Sequence, residues 1–214
     1  MNTTPTSEPS RDCGLCPRLA AFRSGNREQF PEWFNAPVPC FGSARARLLI
    51  IGLAPGLRGA NRTGRPFTGD YAGDLLFATL KKYGFATGLY EERPDDSLKL
   101  TDARICNAVR CVPPENKPTP AEIRQCNGFL KSEIAAATGA RAYLALGRIA
   151  HEAALDALGL KRGAHKFAHG ARHELPGGRM LFDSYHCSRY NTNTGRLTAD
   201  MFEAVFAAIR AALG

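Results

Sequence analysis

The organisation of the 214-residue sequence is clearest at residues 48–70, LLIIGLAPGLRGANRTGRPFTGD. The first part, residues 48–53, is apolar without alternation, which is typical of a strand covered on both faces. The second part, residues 52–70, contains five glycines, two prolines and three arginines and can contribute little to a core. Long loops are commonly functional, and glycine lets the backbone approach a ligand closely. We therefore predict that residues 52–70 form the floor of a ligand-binding site.

Strand-like and helix-like segments alternate along the whole chain. Apolar segments at 48–53, 103–109, 142–146 and 180–185 predict strands, and helical spacing follows them at 73–83, 120–137, 148–158 and 196–213. This alternation predicts an α/β fold with a parallel sheet sandwiched between helices. Ligands bind at the carboxyl ends of the strands in such sheets. Three polar stretches directly follow strands, at 52–70, 107–120 and 186–195, so we expect them to converge on one site.

Composition limits the class of protein. Hydrophobic residues make up 44% and charged residues 22%, which suits one globular domain, expected at 12–214 after a disordered Ser/Thr/Pro-rich tail at 1–11. No apolar run reaches the ~20 residues of a membrane span, and the N-terminus lacks the apolar segment of a signal peptide. We expect a cytoplasmic protein without membrane association. A net charge of +8 favours a polyanionic partner, although many soluble proteins are basic without one.

The seven cysteines separate into two groups. Structural disulfides are not expected in a reducing compartment, so metal binding or burial is the preferred interpretation of each thiol. Cys13 and Cys16 form a CxxC pair, and with Cys111 and Cys126 they suit either tetrahedral zinc or a [4Fe–4S] cluster. The alternatives are four unrelated buried thiols, or a redox CxxC. The remaining three are interpreted as small hydrophobic residues: Cys40, Cys106 and Cys187.

Four side chains in the strand-end stretches carry useful chemistry. Phe67 lies in a polar loop and is either a packing plug or a face on which a planar base stacks. Asn107 offers an amide donor and acceptor, which complement a pyrimidine edge, unless it only caps the strand. His186 can donate a hydrogen bond to developing negative charge. Asp70 is a candidate catalytic carboxylate and, equally, a candidate helix N-cap.

These residues lie in three sequence blocks that resemble the uracil-DNA glycosylase superfamily, in particular its family 5, the type B enzymes with an iron–sulfur cluster. The blocks are residues 52–70, NAVRCVPPENKPTP from Asn107, and HCSRYNTNTGRLT from His186. The resemblance covers residues 13–198 and implies an α/β/α sandwich with a four-stranded parallel sheet. It implies hydrolysis of the N-glycosidic bond of uracil in DNA, by a monomer acting at the nucleoid. It also implies that Cys13, Cys16, Cys111 and Cys126 bind a [4Fe–4S] cluster.

The resemblance assigns roles by position. Phe67 would stack on the flipped base, Asn107 would read its Watson–Crick edge, and His186 would contact its O2 side. Asp70 would stabilise the sugar cation or align water. The water and sugar side would be lined by the backbone of Gly52, Ala54, Pro55 and Gly56. Candidate DNA contacts are Arg58, Arg62, Arg65, Ser188, Arg189 and Arg196.

One departure leaves alternatives open. Many superfamily members carry a polar residue that activates water in the first motif, where this sequence has Leu53-Ala54-Pro55. A non-enzymatic protein that binds DNA or damaged bases is therefore one alternative. A glycosylase acting mainly on hypoxanthine or xanthine is another. The segment that contains His165, His169 and His173 is interpreted as a solvated basic loop.

Overall fold

The computed structural model describes residues 8–214, and its central element is the strand formed by the apolar run of the first motif. The strands are β1 (Phe41–Gly42), β2 (Leu48–Gly52), β3 (Ala86–Thr87), β4 (Lys99–Leu100), β5 (Ala103–Asn107), β6 (Ala142–Leu146), β7 (Arg172–Leu175) and β8 (Arg179–Ser184). The helices are α1 (Pro17–Gln29), α2 (Ala60–Thr63), α3 (Tyr71–Lys82), α4 (Pro120–Ala136), α5 (Arg148–Leu158), α6 (Arg189–Asn193) and α7 (Ala199–Leu213). Two short 3₁₀ turns span Pro114–Asn116 and Arg162–Ala164.

The main sheet has six strands in the order β1-β5-β2-β6-β8-β7. Its four inner strands, β5, β2, β6 and β8, are mutually parallel, which confirms the predicted parallel sheet. The edge strands β1 and β7 pair antiparallel and were not predicted. β1 is only two residues long and β7 is largely polar, so neither leaves an apolar run in the sequence. β3 and β4 form a separate small hairpin.

Helices cover both faces of the sheet. All five residues of β2 are buried, and alternate side chains point to opposite faces. Leu48 and Ile50 join one apolar cluster, which includes side chains of α3 and α7. Leu49 and Ile51 join a second cluster with side chains of α4 and α5. The result is the predicted α/β/α sandwich, with the carboxyl ends of the four parallel strands at one edge.

Capping side chains set the starts of α3, α4 and α7, among other helices. Thr119 caps α4 in a reciprocal box with Glu122, and Pro120 occupies the first turn, as predicted. Asp70 caps α3, so this helix begins at Tyr71, two residues before the predicted start. Thr198 caps α7, whose first turn therefore begins at Ala199 rather than at the predicted residue 196. None of the helices within residues 8–214 has the length and apolar content needed to cross a membrane.

The predicted disordered tail is only partly covered by the structure. Residues 1–7 lie outside the described part of the chain. Glu8 accepts hydrogen bonds from the backbone N–H of Cys40 (2.9 Å) and from the buried guanidinium of Arg110 (3.0 Å). Residues 8–11 thus pack against the domain, and the prediction of disorder is wrong for them.

The prediction that Cys40 and Cys106 are separate small hydrophobic residues is also wrong. The two residues form a disulfide, with their Cα atoms 4.6 Å apart and a sequence separation of 66. Cys40 directly precedes β1, which pairs with β5, and this pairing brings it beside Cys106. Cys187, by contrast, is fully buried as predicted, and its thiol donates to the carbonyl of Ala72 at 3.5 Å.

Candidate active site

A cavity of about 400 Å³ opens at the carboxyl ends of the parallel strands. Its lining comes from all three polar stretches that the sequence singled out, which confirms that they converge. The lining residues are Leu53, Ala54, Pro55, Gly56, Ala60, Phe67, Asp70, Tyr71, Ala72, Asn107, Asn116, His186, Ser188 and Arg189. A volume of this size accommodates a small organic ligand.

Gly52 supports the cavity without lining it. A Cβ atom at Gly52 would overlap Oδ1 of Asn107 and would lie 2.8 Å from the ring of Phe67. Only glycine therefore allows the Asn107 amide and the Phe67 ring to meet at the end of β2. Asn107 is 3% exposed, and its Oδ1 receives no hydrogen bond from any group in residues 8–214. Such an unpaired buried acceptor is uncommon in proteins and calls for an explanation.

His186 lies next to Phe67 in the lining of the cavity. The two rings are stacked, with centroids 5.8 Å apart and an interplanar angle of 25°. Burial lowers the pKa of His186 to about 4, so the imidazole is neutral at neutral pH and keeps one N–H donor. Its backbone is anchored because Nδ2 of Asn191 donates to the His186 carbonyl at 2.8 Å, and the thiol of Cys187 bonds to Ala72.

Asp70 combines the two roles that the sequence left open. Its Oδ1 accepts from the backbone N–H of Gly73 at 3.3 Å, which is the N-cap contact of α3. A Cβ atom at Gly59 would lie 2.6 Å from Oδ2, so this oxygen lies against bare backbone. Burial raises the pKa of Asp70. Among the described residues that line the cavity, Asp70 is the only acidic one.

Two polar lining residues were missed from the sequence. Tyr71 directly follows Asp70, and the guanidinium of Arg189 lies 5.2 Å from the centroid of its ring. Asn116 belongs to the proline-rich loop after β5 and has a left-handed backbone, with φ of +57°. The position of Tyr71 beside Asp70 was a usable signal, whereas nothing local in the sequence marked Asn116.

The predicted DNA-contacting arginines do not all reach the surface. Arg58, Arg62, Arg189 and Arg196 are exposed. The prediction for Arg65 is wrong, because its side chain is 6% exposed and pairs with a fully buried Asp96 at 2.7 Å. Ser188 caps α6, accepting from the N–H of Asn191 at 3.5 Å, and lines the cavity.

A second cavity, of about 340 Å³, lies on the other side of His186. Its rim includes an exposed arginine that the sequence analysis missed, Arg148 at the start of α5. Its lining residues are Gly147, Arg148, Phe167, Ala168, Tyr185, His186, Asn191 and Arg196. The guanidinium of Arg196 lies 4.6 Å from the ring centroid of Tyr185. The surface beside the first cavity is therefore basic and aromatic.

The four cysteines of the predicted metal set converge. Cys13, Cys16, Cys111 and Cys126 have free thiols and line one small cavity of about 20 Å³, together with Leu15, Leu19 and Phe129. Nη1 of Arg23 and the backbone N–H of Arg110 each donate to a sulfur at 3.4 Å. Burial raises the pKa of three of these thiols, that of Cys126 to about 12.

The interpretation of the histidine-containing segment as a solvated basic loop holds for its lysines and arginines, which are exposed, but not for its three histidines, which are half-buried and make specific contacts. Nε2 of His173 lies 3.0 Å from Oδ2 of the buried Asp183, whose Oδ1 lies 2.7 Å from Nδ1 of His151. The carbonyl of His165 lies 2.9 Å from Nε2 of His151. Nδ1 of His169 accepts from the backbone N–H of Tyr185 at 3.1 Å. The segment therefore packs on the strand that leads to His186.

Comparison with known proteins agrees with this geometry. The family model described as "Uracil DNA glycosylase superfamily" matches residues 39–210. A "Type-5 uracil-DNA glycosylase" of Thermus thermophilus is 50% identical over 196 residues, which cover 89% of each chain. Proteins of the same description from Mycobacterium bovis and Pyrobaculum aerophilum are 42% and 39% identical over 91% of this chain, and over 75% and 86% of their own lengths. The chain belongs to the uracil-DNA glycosylase superfamily.

Proposed function

We propose that the protein hydrolyses the N-glycosidic bond of uracil in DNA and leaves an abasic site, as an enzyme of DNA repair. Family membership and the names of its relatives support this activity. The structural observation that carries the proposal is the side chain of Asn107, which lines a cavity of suitable size together with the Phe67 ring and whose buried Oδ1 has no hydrogen-bond partner among residues 8–214. A ligand with a planar ring and a polar edge would satisfy this group.

Recognition of uracil would use three side chains. A base flipped out of the duplex exposes its Watson–Crick edge, and Asn107 can accept from N3–H and donate to O4 through one amide. Phe67 supplies the stacking face, worth ~1–3 kcal/mol per base. His186, stacked beside Phe67, would direct its N–H to the O2 side. The flip itself costs a few kcal/mol and is least costly at a mismatch such as uracil opposite guanine.

Side chains of the site would stabilise both fragments that form when the glycosidic bond breaks. The C1′–N1 bond breaks with its electron pair moving to the base, which becomes an anion, while the sugar becomes an oxocarbenium ion. His186 and Asn107 donate hydrogen bonds to the anion, and one such preorganised donor is worth ~10²–10³ in rate. Water adds to C1′, and its proton balances the charge of the departing uracil. Asp70, the single acid of the described lining, would stabilise the cation or align the water.

The basic rim would bind the phosphates around the flipped nucleotide. We assign this role to Arg58, Arg62, Arg189 and Arg196, and add Arg148 from the second cavity. These contacts position DNA rather than read its sequence. Tyr190 follows Arg189 and is 72% exposed, which suits a side chain that fills the gap left by the base. We expect a monomer that acts on DNA at the nucleoid.

The four cysteines fit a [4Fe–4S] cluster better than a single zinc ion. Tetrahedral zinc with Zn–S bonds of ~2.3 Å would hold its sulfurs roughly 3.8 Å apart. Among the described residues, no three of these sulfurs lie within 4.8 Å of one another. The N–H donors from Arg23 and Arg110 are of the kind that stabilises cluster sulfurs. The cluster would hold the loops of Cys13, Cys16 and Cys111 against α4 and would take no part in redox turnover.

Metal analysis distinguishes a [4Fe–4S] cluster from a zinc ion. An anaerobically purified protein should be brown, absorb broadly in the visible range and contain iron. Stoichiometric zinc without iron would refute the cluster.

The decisive test of function is excision from a uracil:guanine duplex, followed by alkaline cleavage at abasic sites. Strand cleavage that depends on protein and on uracil is the expected result. Binding of the duplex without cleavage would support instead the non-enzymatic protein that binds DNA or damaged bases.

Deaminated purines are a second candidate class of substrate. The stretch assigned to the sugar side, residues 53–56, carries no polar side chain and lines a cavity of about 400 Å³. This leaves room for the additional ring of hypoxanthine or xanthine. A panel of duplexes containing uracil, hypoxanthine, xanthine or thymine measures the breadth. If uracil is the only base that is excised, the cavity is too narrow for a purine when DNA is bound.

A further inference from the structure

The stacking ring of Phe67 depends on an unusual backbone conformation. Phe67 has φ of +56°, in the left-handed region that residues other than glycine rarely adopt, and a bulky side chain is particularly disfavoured there. Such conformations persist only where surrounding structure enforces them, and they cluster at functional sites. The Phe67 side chain is nevertheless 6% exposed and well packed. The groups that hold its backbone are therefore part of how the cavity is built.

One of these groups is the hydroxyl of Tyr90. It donates to the carbonyl of Phe67 and accepts from the backbone N–H of Gly69, both at 3.2 Å. It thus bridges the two ends of the turn that contains Phe67. Burial raises the pKa of Tyr90 to about 12, so the hydroxyl keeps the proton that it donates. Its ring packs on Phe77 of α3, with centroids 4.6 Å apart.

A buried ion pair fixes the other side of the turn. The guanidinium of Arg65 binds both carboxylate oxygens of Asp96 at 2.7 Å, and its Nε donates to Thr68 Oγ1 at 2.7 Å. Asp96 also accepts from the backbone N–H groups of Glu91 and Leu98, at 2.9 and 3.1 Å. The guanidinium lies 6.0 Å from the ring centroid of Tyr90, so the Arg65–Asp96 ion pair is adjacent to Tyr90.

The start of α3 closes the arrangement. A Cβ atom at Gly73 would overlap the carbonyl oxygen of Phe67 and would lie 2.5 Å from the Tyr90 hydroxyl. Glycine here lets the first turn of the helix pack directly on the bridge. The carbonyl that Tyr90 holds is therefore packed closely against the first turn of α3.

We propose that Tyr90 and the Arg65–Asp96 pair are positioning residues that hold Phe67 in its left-handed conformation, so that its ring is preorganised to stack on the base. Neither Tyr90 nor Asp96 lines the cavity. They belong to the segment 89–98, which runs beside the site and contributes no side chain to it. The proposal rests on the proposed function, because it names the device that prepares the same pocket for its base.

The test is Tyr90→Phe, which removes the bridging hydroxyl and leaves the ring. We expect the affinity for free uracil, measured by calorimetry, to fall about two- to tenfold, the net worth of one or two hydrogen bonds. The KM for the uracil duplex should rise by a similar factor, with a smaller effect on kcat. Tyr83→Phe is the matched control, because Tyr83 packs against Phe206, on the far side of α3. It should leave uracil affinity unchanged.

A double-mutant cycle separates positioning from general stability. In a Phe67→Ala background the ring is absent, so Tyr90→Phe should have no further effect on uracil affinity. An equal loss in both backgrounds would overturn the proposal, as would unchanged affinity in Tyr90→Phe alone. If the wild-type protein binds uracil but does not excise it, the proposed function fails while the calorimetry still decides the role of Tyr90. If it excises uracil but does not bind the free base, the proposed function stands and the KM for the duplex in the two backgrounds decides the role of Tyr90. If it neither binds nor excises uracil, both fail.

Discussion

Two buried polar side chains near the carboxyl ends of parallel strands, Asn107 and Asp183, lie in opposite situations. Asn107 ends β5, and within residues 8–214 nothing donates to its Oδ1. Asp183 lies in β8, and both of its oxygens are within 3.0 Å of a histidine nitrogen. Buried polar groups in native proteins are normally paired. Five buried side-chain atoms within residues 8–214 have no partner, and Asn107 is the one of their residues that lines the first cavity. Burial alone does not mark a functional polar residue, whereas an unmet hydrogen bond next to a cavity does.

The Asp183 network also differs in charge from the cavity. Both ring nitrogens of His151 face acceptors, Asp183 on one side and the carbonyl of His165 on the other. Only the imidazolium can donate to both. Burial alone would lower the pKa of His151, but the hydrogen bond and charge of Asp183 raise it. The network is thus a satisfied ion pair that ties the histidine-containing segment to β8.

The largest expected effect comes from breaking this satisfied network. Asp183→Asn removes the charge that pairs with His151 and places an amide NH₂ against a ring donor. Breaking a buried pair in this way costs about 3–5 kcal/mol in the free energy of unfolding, measured in denaturant. Because the pKa of His151 is raised, its contribution is fully present below the ordinary value of 6.5 and is lost as pH rises. The variant should lose this pH dependence.

Asp156→Asn is the control for that prediction. Asp156 lies on the same helix as His151 but pairs with Arg162 at the surface, where an ion pair is worth at most about 1 kcal/mol. Equal destabilisation by the two variants would show that Asp183 has no special role.

Asn107→Ala tests the buried amide whose Oδ1 has no hydrogen-bond partner within residues 8–214. Because the amide would be completed only by the base, we expect the rate of uracil excision to fall ~10²–10³-fold. The free energy of unfolding should change by about 1 kcal/mol or less, since no hydrogen bond to Oδ1 is lost. Asn127→Ala is the control, because its amide donates to the carbonyl of Ala153 at 2.8 Å, away from the cavity. Asn127→Ala should lower the free energy of unfolding and leave excision intact. Loss of excision without loss of stability in this variant would contradict the comparison.

Most of the fold could be predicted because it depends on local signals. The apolar run at 142–146 matches β6, and Thr119 with Pro120 marks the start of α4. The same applies to the convergence of the three polar stretches, since parallel strands place their carboxyl ends together. The disulfide of Cys40 and the pairing of Arg65 with Asp96 could not be predicted. Each joins residues that are distant in sequence and adjacent only in the folded chain.

His151 and His186 differ in the direction in which their pKa values are shifted. In the satisfied network the pKa of His151 is raised, whereas in the cavity burial lowers that of His186 to about 4. His186 is therefore neutral throughout the range in which an ordinary histidine titrates, around 6.5. We expect kcat/KM for excision to be flat through that range and to fall only as pH approaches about 4, measured where circular dichroism shows a folded protein.

The acid limb has two contributors, because burial also raises the pKa of Asp70. Asp70→Asn removes one of them, so the fall that remains in this variant reports on His186. A depressed pKa means that protonating His186 is unfavourable in the folded state, so the neutral ring is retained until the solution is acidic. A limb centred near 6.5 in either protein would mean that the ring is hydrated like an ordinary surface histidine, and that burial beside Phe67 does not lower its pKa.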